Sequence, residues 1–117
     1  MDATPGTAEA LSAVVSIDGD AARISLDGQL DRAGERALMD AYTEAAAAAA
    51  SDIEIDFADV DYINSTGIAL VVRVLAEARK DGREVRALGL TEHYKQIFTI
   101  TRLSDFMTIV DDEETQA

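Results

Sequence analysis

The chain has 117 residues, 48% of them hydrophobic, and its 23 acidic and 10 basic residues give a formal net charge of −13. This length and apolar content fit one compact domain with its own core, while the negative charge disfavours binding to nucleic acid and to anionic membrane surfaces. Because the chain has no cysteine, a disulfide framework and a thiolate metal site are excluded.

Targeting signals are also lacking in the sequence. The amino-terminal residues have neither the basic start nor the apolar run of a secretory signal. The longest apolar stretch with helical character is interrupted by Arg73 and Glu77 and is too short to span a bilayer. We therefore expect a soluble, cytoplasmic protein that has no membrane partner.

The first predicted structure is a β-hairpin. Residues 1–10 have no apolar period and are expected to form a flexible leader, so order should begin near Leu11. In residues 13–17 and 21–26, β-branched side chains alternate with small or polar ones. Between these two strands, the sequence Asp-Gly-Asp at residues 18–20 tolerates the positive φ of a tight turn.

A helix and a strand follow the hairpin. Gly28 is expected to end the second strand, and Asp31 is a candidate N-cap for a helix that runs through six alanines to Ala50. Alanine has the highest helix propensity, and its small side chain lets a helix lie close to a sheet. The alternating residues 52–57 then predict a strand, followed by a short loop.

The next helix is predicted from about Ser65 to Lys80, with Gly82 in its C-cap region. Its apolar residues recur at helical spacing and predict a stripe that faces the sheet: Ile68, Val71, Val72, Leu75 and Ala78. Arg73 and Glu77, together with the last residue of the helix, are expected to face water.

Two strands and one helix complete the domain. Residues 84–88 and 107–110 are predicted strands, and Thr91 is a candidate N-cap for a helix over residues 91–99. Three residues of that helix are expected in the core: Tyr94, Ile97 and Phe98. The order β, β, α, β, α, β, α, β predicts an α/β fold, a mixed sheet with an initial hairpin and helices packed against it.

The expected domain covers residues 11–110. The acidic run in residues 111–117 is expected to be a solvated tail to which we assign no function.

Catalytic patterns are sparse. Ser65 lacks the glycine two residues earlier that a nucleophile elbow requires. The single histidine, His93, is predicted in a helix without an identifiable catalytic partner, so a surface or cap role is expected. We therefore predict a protein that is not an enzyme.

Asp56, Asp59 and Asp61 raise one alternative, the magnesium-dependent phospho-acceptor aspartate of response-regulator receiver domains. That chemistry needs an acidic pair after the first strand and a lysine late in the sheet, whereas the early acids fall in the hairpin turn and Lys95 falls in a helix. Asp56 is expected to end its strand, and the other two are expected to make turn hydrogen bonds. Phosphate-cradling glycine motifs are absent as well, so no metal or cofactor site is predicted.

Ser65 and Thr66 stand where a strand is predicted to pass into a helix. Hydroxyl residues at such a position are commonly caps. The free amides and the positive end of the helix dipole also favour added negative charge there, so a phosphate on either residue is compatible with folding.

Several stretches carry a resemblance to a known family. They are residues 26–31 (Leu-Asp-Gly-Gln-Leu-Asp), residues 56–68 and, near the end, Ile97, Phe98, Leu103 and Phe106. Over residues 13–110 the chain resembles the STAS domain of bacterial anti-sigma factor antagonists.

The resemblance implies a phosphorylation switch. In such proteins an anti-sigma factor with serine kinase activity uses ATP to phosphorylate the first hydroxyl residue of the loop, which is Ser65 here, and a serine phosphatase reverses this. The unphosphorylated antagonist binds the anti-sigma factor and so releases the sigma factor. The resemblance also implies that the partner contacts four residues of the loop: Asn64, Ser65, Thr66 and Gly67.

The sequence departs from the family at residue 64, which is usually aspartate and here is asparagine. Asparagine also accepts an amide hydrogen bond as an N-cap, so the loop geometry is expected to be retained, while recognition by a kinase stays open. Two alternatives therefore remain: a constitutive STAS scaffold or subunit of a sensory complex without phosphorylation, and a STAS module that binds a small ligand or nucleotide at the same helix start.

Overall fold

The computed structural model describes residues 11–48 and 51–110, which form five strands and three α-helices in the predicted order. They are β1 (Ser12–Asp18), β2 (Ala21–Leu30), α1 (Glu35–Ala47), β3 (Asp52–Ile63), α2 (Ser65–Lys80), β4 (Glu84–Leu88), α3 (Glu92–Ile100) and β5 (Thr108–Ile109). The 3-10 turns Arg32–Gly34 and Leu103–Asp105 precede α1 and β5. The predicted leader, the predicted tail and the last two alanines of the first predicted helix lie outside the described residues.

The strands form one sheet in chain order, β1-β2-β3-β4-β5. β1 is antiparallel to β2, and Gly19, with a φ of 64°, lies in the turn between them. The strands from β2 to β5 pair in parallel. The predicted mixed α/β fold is therefore confirmed. Because the four parallel strands run in one direction, their carboxyl ends lie at the same edge, where open α/β sheets place their functional sites.

One face of the sheet carries the hydrophobic core. Alternate residues of β2 and β3 are buried on this face: Ala22, Ile24, Leu26, Ile53, Ile55 and Phe57. Phe98 of α3 is fully buried, and its ring meets that of Phe57 edge-on with 5.8 Å between the centroids. This contact fixes α3 against β3, since aromatic pairs in this geometry attract beyond their buried area.

The opposite face of the sheet is covered by ion pairs. Arg86 of β4 contacts Glu54 and Asp52 of β3 at 3.0 and 3.2 Å, and Glu54 also contacts Arg23 of β2 at 3.1 Å. The hydrogen bond from Arg86 lowers the pKa of Glu54 and keeps it ionised. These cross-strand pairs hold three strands in register on the solvated face.

Two strands extend beyond their predicted ends. β3 continues to Ile63 and β2 continues past Gly28 to Leu30, and the two extensions pair in parallel with Leu30 beside Ile63. The predicted end of β2 and the predicted loop after residue 57 are therefore wrong. The reason is a register shift on each side of Gly28, which has a φ of 114°. Such bulges break the sequence alternation but not the strand.

The first helix starts later than predicted. Asp31 does act as a cap, but its side chain accepts the N–H of Ala33 at 3.0 Å and so caps the 3-10 turn, after which α1 begins at Glu35. Gly34 is buried, and a Cβ there would lie 2.9 Å from that of Leu11. The chain therefore makes a tight turn past Leu11 before the helix can start.

α2 has its predicted bounds, but its buried face is rotated from the predicted stripe. Val72 is 45% exposed, whereas Leu70 and Val74 are buried. Val72 instead lines a groove between α2 and the segment that contains Phe106. The prediction for Val72 is wrong because that segment leaves this side of α2 partly uncovered.

The carboxyl-terminal elements agree with the prediction in type. Thr91 caps α3 by accepting the N–H of Tyr94 at 3.2 Å. Phe98 is fully buried, while Tyr94 and Ile97 are half-buried against the core. β5 is two residues long, shorter than the predicted strand of residues 107–110. Within the described parts of the chain, no helix has the length and apolar character needed to cross a bilayer.

A buried hydroxyl joins α1 to the end of α2 and makes stability depend on pH. Tyr42 donates to the carboxylate of Asp81 at 2.8 Å. Burial, followed by this bond, raises the pKa of Tyr42 from 10.0 to about 12. Because the pKa of Tyr42 is higher in the folded state than in the unfolded chain, the neutral hydroxyl stabilises the fold. This stabilisation is complete below pH 10 and is lost as the pH rises towards 12.

We expect the free energy of unfolding of the wild type to fall by about 2 kcal/mol more than that of Tyr42→Phe between about pH 10 and pH 12. Urea titrations at both pH values measure the difference. Tyr62→Phe, which alters an exposed tyrosine, is the control and should follow the wild type. Equal pH profiles for the wild type and Tyr42→Phe would contradict the assignment.

Candidate functional site

The end of β3 and the start of α2 meet in a sharp turn at the carboxyl edge of the sheet. Ile63 is the last residue of the strand, Asn64 has extended angles with φ −96° and ψ −175°, and Ser65 begins the helix. We call residues 63–67 the junction. It contains all four residues that the sequence predicted as the partner-binding loop.

Asn64 fixes the junction through three hydrogen bonds. Its side-chain Oδ1 accepts the N–H of Gly67 at 2.8 Å, its carbonyl accepts the N–H of Ile68 at 2.9 Å, and its own N–H donates to the carbonyl of Leu30 at 3.3 Å. The first of these bonds is a helix cap, because Gly67 is the third residue of α2 and its amide has no acceptor within the helix. The predicted N-cap role of Asn64 is therefore confirmed.

Gly67 lies at the closest approach between α2 and β2. A Cβ at this position would be 2.0 Å from the carbonyl oxygen of Leu30, which is far inside van der Waals contact. Only glycine therefore lets the first turn of the helix rest on the end of β2. Gly67 is buried, so the structure gives it a packing role and leaves its neighbours to form the surface.

Ser65 and Thr66 form the exposed part of the junction. Among the described residues, neither hydroxyl has a hydrogen-bond partner. Their backbone amides precede the first intrahelical bond, from Ile68 to Asn64, and so have no carbonyl acceptor within the helix. The helix therefore presents two hydroxyls and two free amides to solvent, an arrangement that favours an anion.

Tyr94 is the junction contact that sequence reasoning missed. Its hydroxyl accepts the backbone N–H of Ile63 at 2.9 Å, across 31 positions of the sequence. The periodicity of α3 did place Tyr94 against the core, but no local pattern indicates which backbone group its hydroxyl reaches.

The carboxylates that suggested a phospho-acceptor aspartate do not converge on a site. Asp56 accepts the N–H of Ala58 at 2.9 Å. Asp59 and Asp61 lie exposed on the extension of β3, and their side chains make no hydrogen bond within residues 11–48 and 51–110, so the predicted turn bonds are wrong. Lys95 lies on α3, 3.5 Å from Glu92.

The remaining titratable groups form no metal centre in residues 11–48 and 51–110, where no group of three or more His, Cys, Asp or Glu side chains is arranged to hold an ion. His93 is exposed, and its ring lies 5.0 Å from that of Tyr94. This agrees with the surface role expected for His93.

The cap of α2 can be tested by substitution. Asn64→Ala leaves the Gly67 amide without its acceptor, so we expect a loss of about 1 kcal/mol in the free energy of unfolding. Asn64→Asp keeps the acceptor and adds a negative charge at the start of the helix. Its free energy of unfolding should therefore be higher than that of the wild type by up to about 0.5 kcal/mol. Urea titration measures both, with the exposed Thr66→Ala as control. An unchanged stability of Asn64→Ala would contradict the role of Asn64.

The curated proteins that are similar to this chain include anti-sigma-B factor antagonists. An anti-sigma-B factor antagonist from Staphylococcus epidermidis is 31% identical over 65 residues, which are 56% of this chain and 60% of the length of that relative. An anti-sigma-B factor antagonist from Staphylococcus aureus is 27% identical over 93 residues, which are 80% of this chain and 86% of that relative.

Comparison with solved structures supports the same fold. The Bacillus cell fate determinant SpoIIAA in its phosphorylated form matches with a TM-score of 0.66 at 19% identity, covering 89% of this chain and 96% of that chain. The family model described as "Mlab, STAS domain" matches residues 13–111. Because that match extends from the hairpin to the end of the sheet, the chain belongs to the STAS domain family.

Proposed function

We propose that this protein is an anti-sigma factor antagonist that is switched by phosphorylation of Ser65. In the unphosphorylated state it binds an anti-sigma factor with serine kinase activity and so releases a sigma factor. A serine phosphatase restores this state. The observation that carries the proposal is that Ser65 is exposed on the first turn of α2, with no hydrogen bond from its hydroxyl to any residue that the structure describes.

A phosphate on Ser65 would leave the fold intact. It adds about −1.5 to −2 charges at neutral pH, and the free amides of Ser65 and Thr66 and the positive end of the helix dipole attract such a charge. The hydroxyl of Ser65 has no hydrogen bond to lose among the described residues. The phosphorylated form of SpoIIAA, which shares the fold, provides a precedent for a modified STAS domain.

The same phosphate would oppose docking. A partner that covers Ser65 must remove water from the phosphate, and a buried charge without a partner is strongly unfavourable. The protein already has a formal net charge of −13, so further negative charge adds to repulsion of any acidic partner surface. The modification therefore changes the surface of the junction while its backbone stays in place.

Asn64 is compatible with this switch. It supplies the cap on Gly67 that an aspartate would supply, but without a negative charge next to Ser65. A phosphate on Ser65 then lacks one source of like-charge repulsion. Asn64 therefore keeps Ser65 in place while removing one negative charge beside it.

The function is non-catalytic and needs no cofactor of its own. ATP and the metal that accompanies it belong to the kinase, and the phosphatase supplies the chemistry of removal. The proposed switch requires this protein to be in the cytoplasm together with its partners.

Incubation with the purified anti-sigma factor kinases of the source organism and ATP tests the proposal. We expect mass spectrometry to find one phosphate on Ser65 of the wild type and none on Ser65→Ala. Calorimetric titration should show that Ser65→Asp binds its kinase at least about tenfold more weakly than Ser65→Ala, a difference of about 1.4 kcal/mol. Ala76→Asp, which adds a charge at an exposed position about three turns further along α2, is the matched control and should bind as Ser65→Ala does.

Phosphorylation elsewhere in the chain, or equal affinity of the wild type, Ser65→Ala and Ser65→Asp, would contradict the proposal. Equal affinity would instead favour a constitutive STAS scaffold or a subunit of a sensory complex. The two free amides also favour a second candidate, a module that binds a small anion or nucleotide without covalent modification. In that case ATP alone should raise the melting temperature in the absence of any kinase.

A further inference from the structure

Pairing along β3 runs further on one of its two sides than on the other. On the β2 side it is paired as far as Ile63, which lies beside Leu30. On the β4 side, pairing ends at Asp56, which lies beside Leu88. Backbone groups of β3 after Asp56 that point towards β4 therefore have no strand partner there.

The hydroxyl of Tyr94 takes the place of the missing strand. The N–H of Asn64 donates towards β2, to the carbonyl of Leu30. Because the N–H groups of successive residues in a strand point to opposite sides, the N–H of Ile63 points away from β2. It donates there to Tyr94 at 2.9 Å. Ile63 is only 5% exposed, and a buried N–H without an acceptor would be destabilising.

α3 holds this hydroxyl firmly in position. Tyr94 lies in the first turn of the helix, which Thr91 caps. One turn later, Phe98 is fully buried against Phe57 of β3. Gly89, just before the helix, lies so close to Ala58 that a Cβ would be 2.7 Å from the Ala58 nitrogen. The segment from Gly89 to Phe98 is therefore packed along the extension of β3.

We propose that Tyr94 is a positioning residue for the Ser65 junction. Its hydroxyl fixes Ile63 from the α3 side, while Leu30 fixes Asn64 from the β2 side. Because two successive residues are held from opposite sides, the backbone before the cap cannot shift. The first turn of α2 therefore presents Ser65 in one orientation. The consequence for Ser65 rests on the proposed function, whereas the immobilisation of residues 63–67 does not.

Tyr94→Phe tests the proposal because it removes the hydroxyl and keeps the ring. Tyr62→Phe is the matched control. Tyr62 lies next to Ile63 on β3 and is 51% exposed, and its hydroxyl has no partner among the described residues. Amide hydrogen exchange measured by NMR needs no partner protein. For Tyr94→Phe we expect exchange about tenfold faster at Ile63, with smaller increases confined to residues 64–67 and no change in Tyr62→Phe.

Unchanged exchange at Ile63 would overturn the proposal. A uniform increase at all protected amides would overturn it as well, because that pattern reports general destabilisation and not local release. Repeating the measurement in low urea separates the two cases, since local opening is independent of urea whereas global unfolding is not.

Phosphorylation kinetics give a second readout. With the kinase that modifies Ser65, we expect kcat/KM for Tyr94→Phe to fall about fivefold and that for Tyr62→Phe to match the wild type. A wild-type kcat/KM in Tyr94→Phe would contradict a positioning role. If no kinase modifies Ser65 in the wild type, the proposed function fails, and the exchange measurement alone decides whether Tyr94 holds the junction.

Discussion

The contact between the first turn of α2 and the end of β2 is the constraint on which the exposed surface of the junction depends. A helix can rest on a backbone carbonyl at this distance only where the side chain is a hydrogen atom, and Gly67 satisfies this requirement above Leu30. Asn64 then closes the turn by accepting the Gly67 amide. Together these contacts leave only the two hydroxyl residues of the turn facing solvent.

The two faces of the sheet contain residues that stabilise the fold, and the exposed residues of the junction lie apart from both. Its covered face contains the apolar core, including Phe57 and Phe98. Its other face is held in register by ion pairs such as Arg86 with Glu54. The junction lies at the edge where the parallel strands end; Ile63 and Gly67 join the core there, whereas Ser65 and Thr66 are exposed. A charge added to Ser65, as in the proposed function, would therefore change the surface without entering the packing of either face.

The backbone of the junction is held from two sides, which bears on the role proposed for the Ser65 hydroxyl. A loop that moved freely would present Ser65 in many orientations, and a partner would lose affinity in ordering it. Here a cap, a strand carbonyl and a tyrosine hydroxyl fix the backbone before any partner arrives. The backbone of the junction is therefore preorganised, and under the proposed function a phosphate on Ser65 would act mainly through charge and hydration.

Patterns local in sequence determined much of this protein. Alternation and helical spacing are short-range properties of the chain, and they correctly predicted the hairpin, the order of the elements, the bounds of α2 and the caps Asn64 and Thr91. The candidate site was also readable from the sequence, because its four residues are consecutive and resemble a known family. Strand ends were less predictable, since bulges near Gly28 and Asp56 interrupt the alternation where the strands continue.

Tertiary structure alone decided which groups meet across the chain. The exposure of Val72 depends on what the distant segment around Phe106 leaves uncovered, and the need for glycine at residue 67 depends on a carbonyl of β2. The bond from Ile63 to Tyr94 exists because β4 ends before β3 does, leaving a buried amide that α3 must satisfy. Sequence periodicity reports which side of an element is apolar, but packing fixes which particular atoms that side encounters.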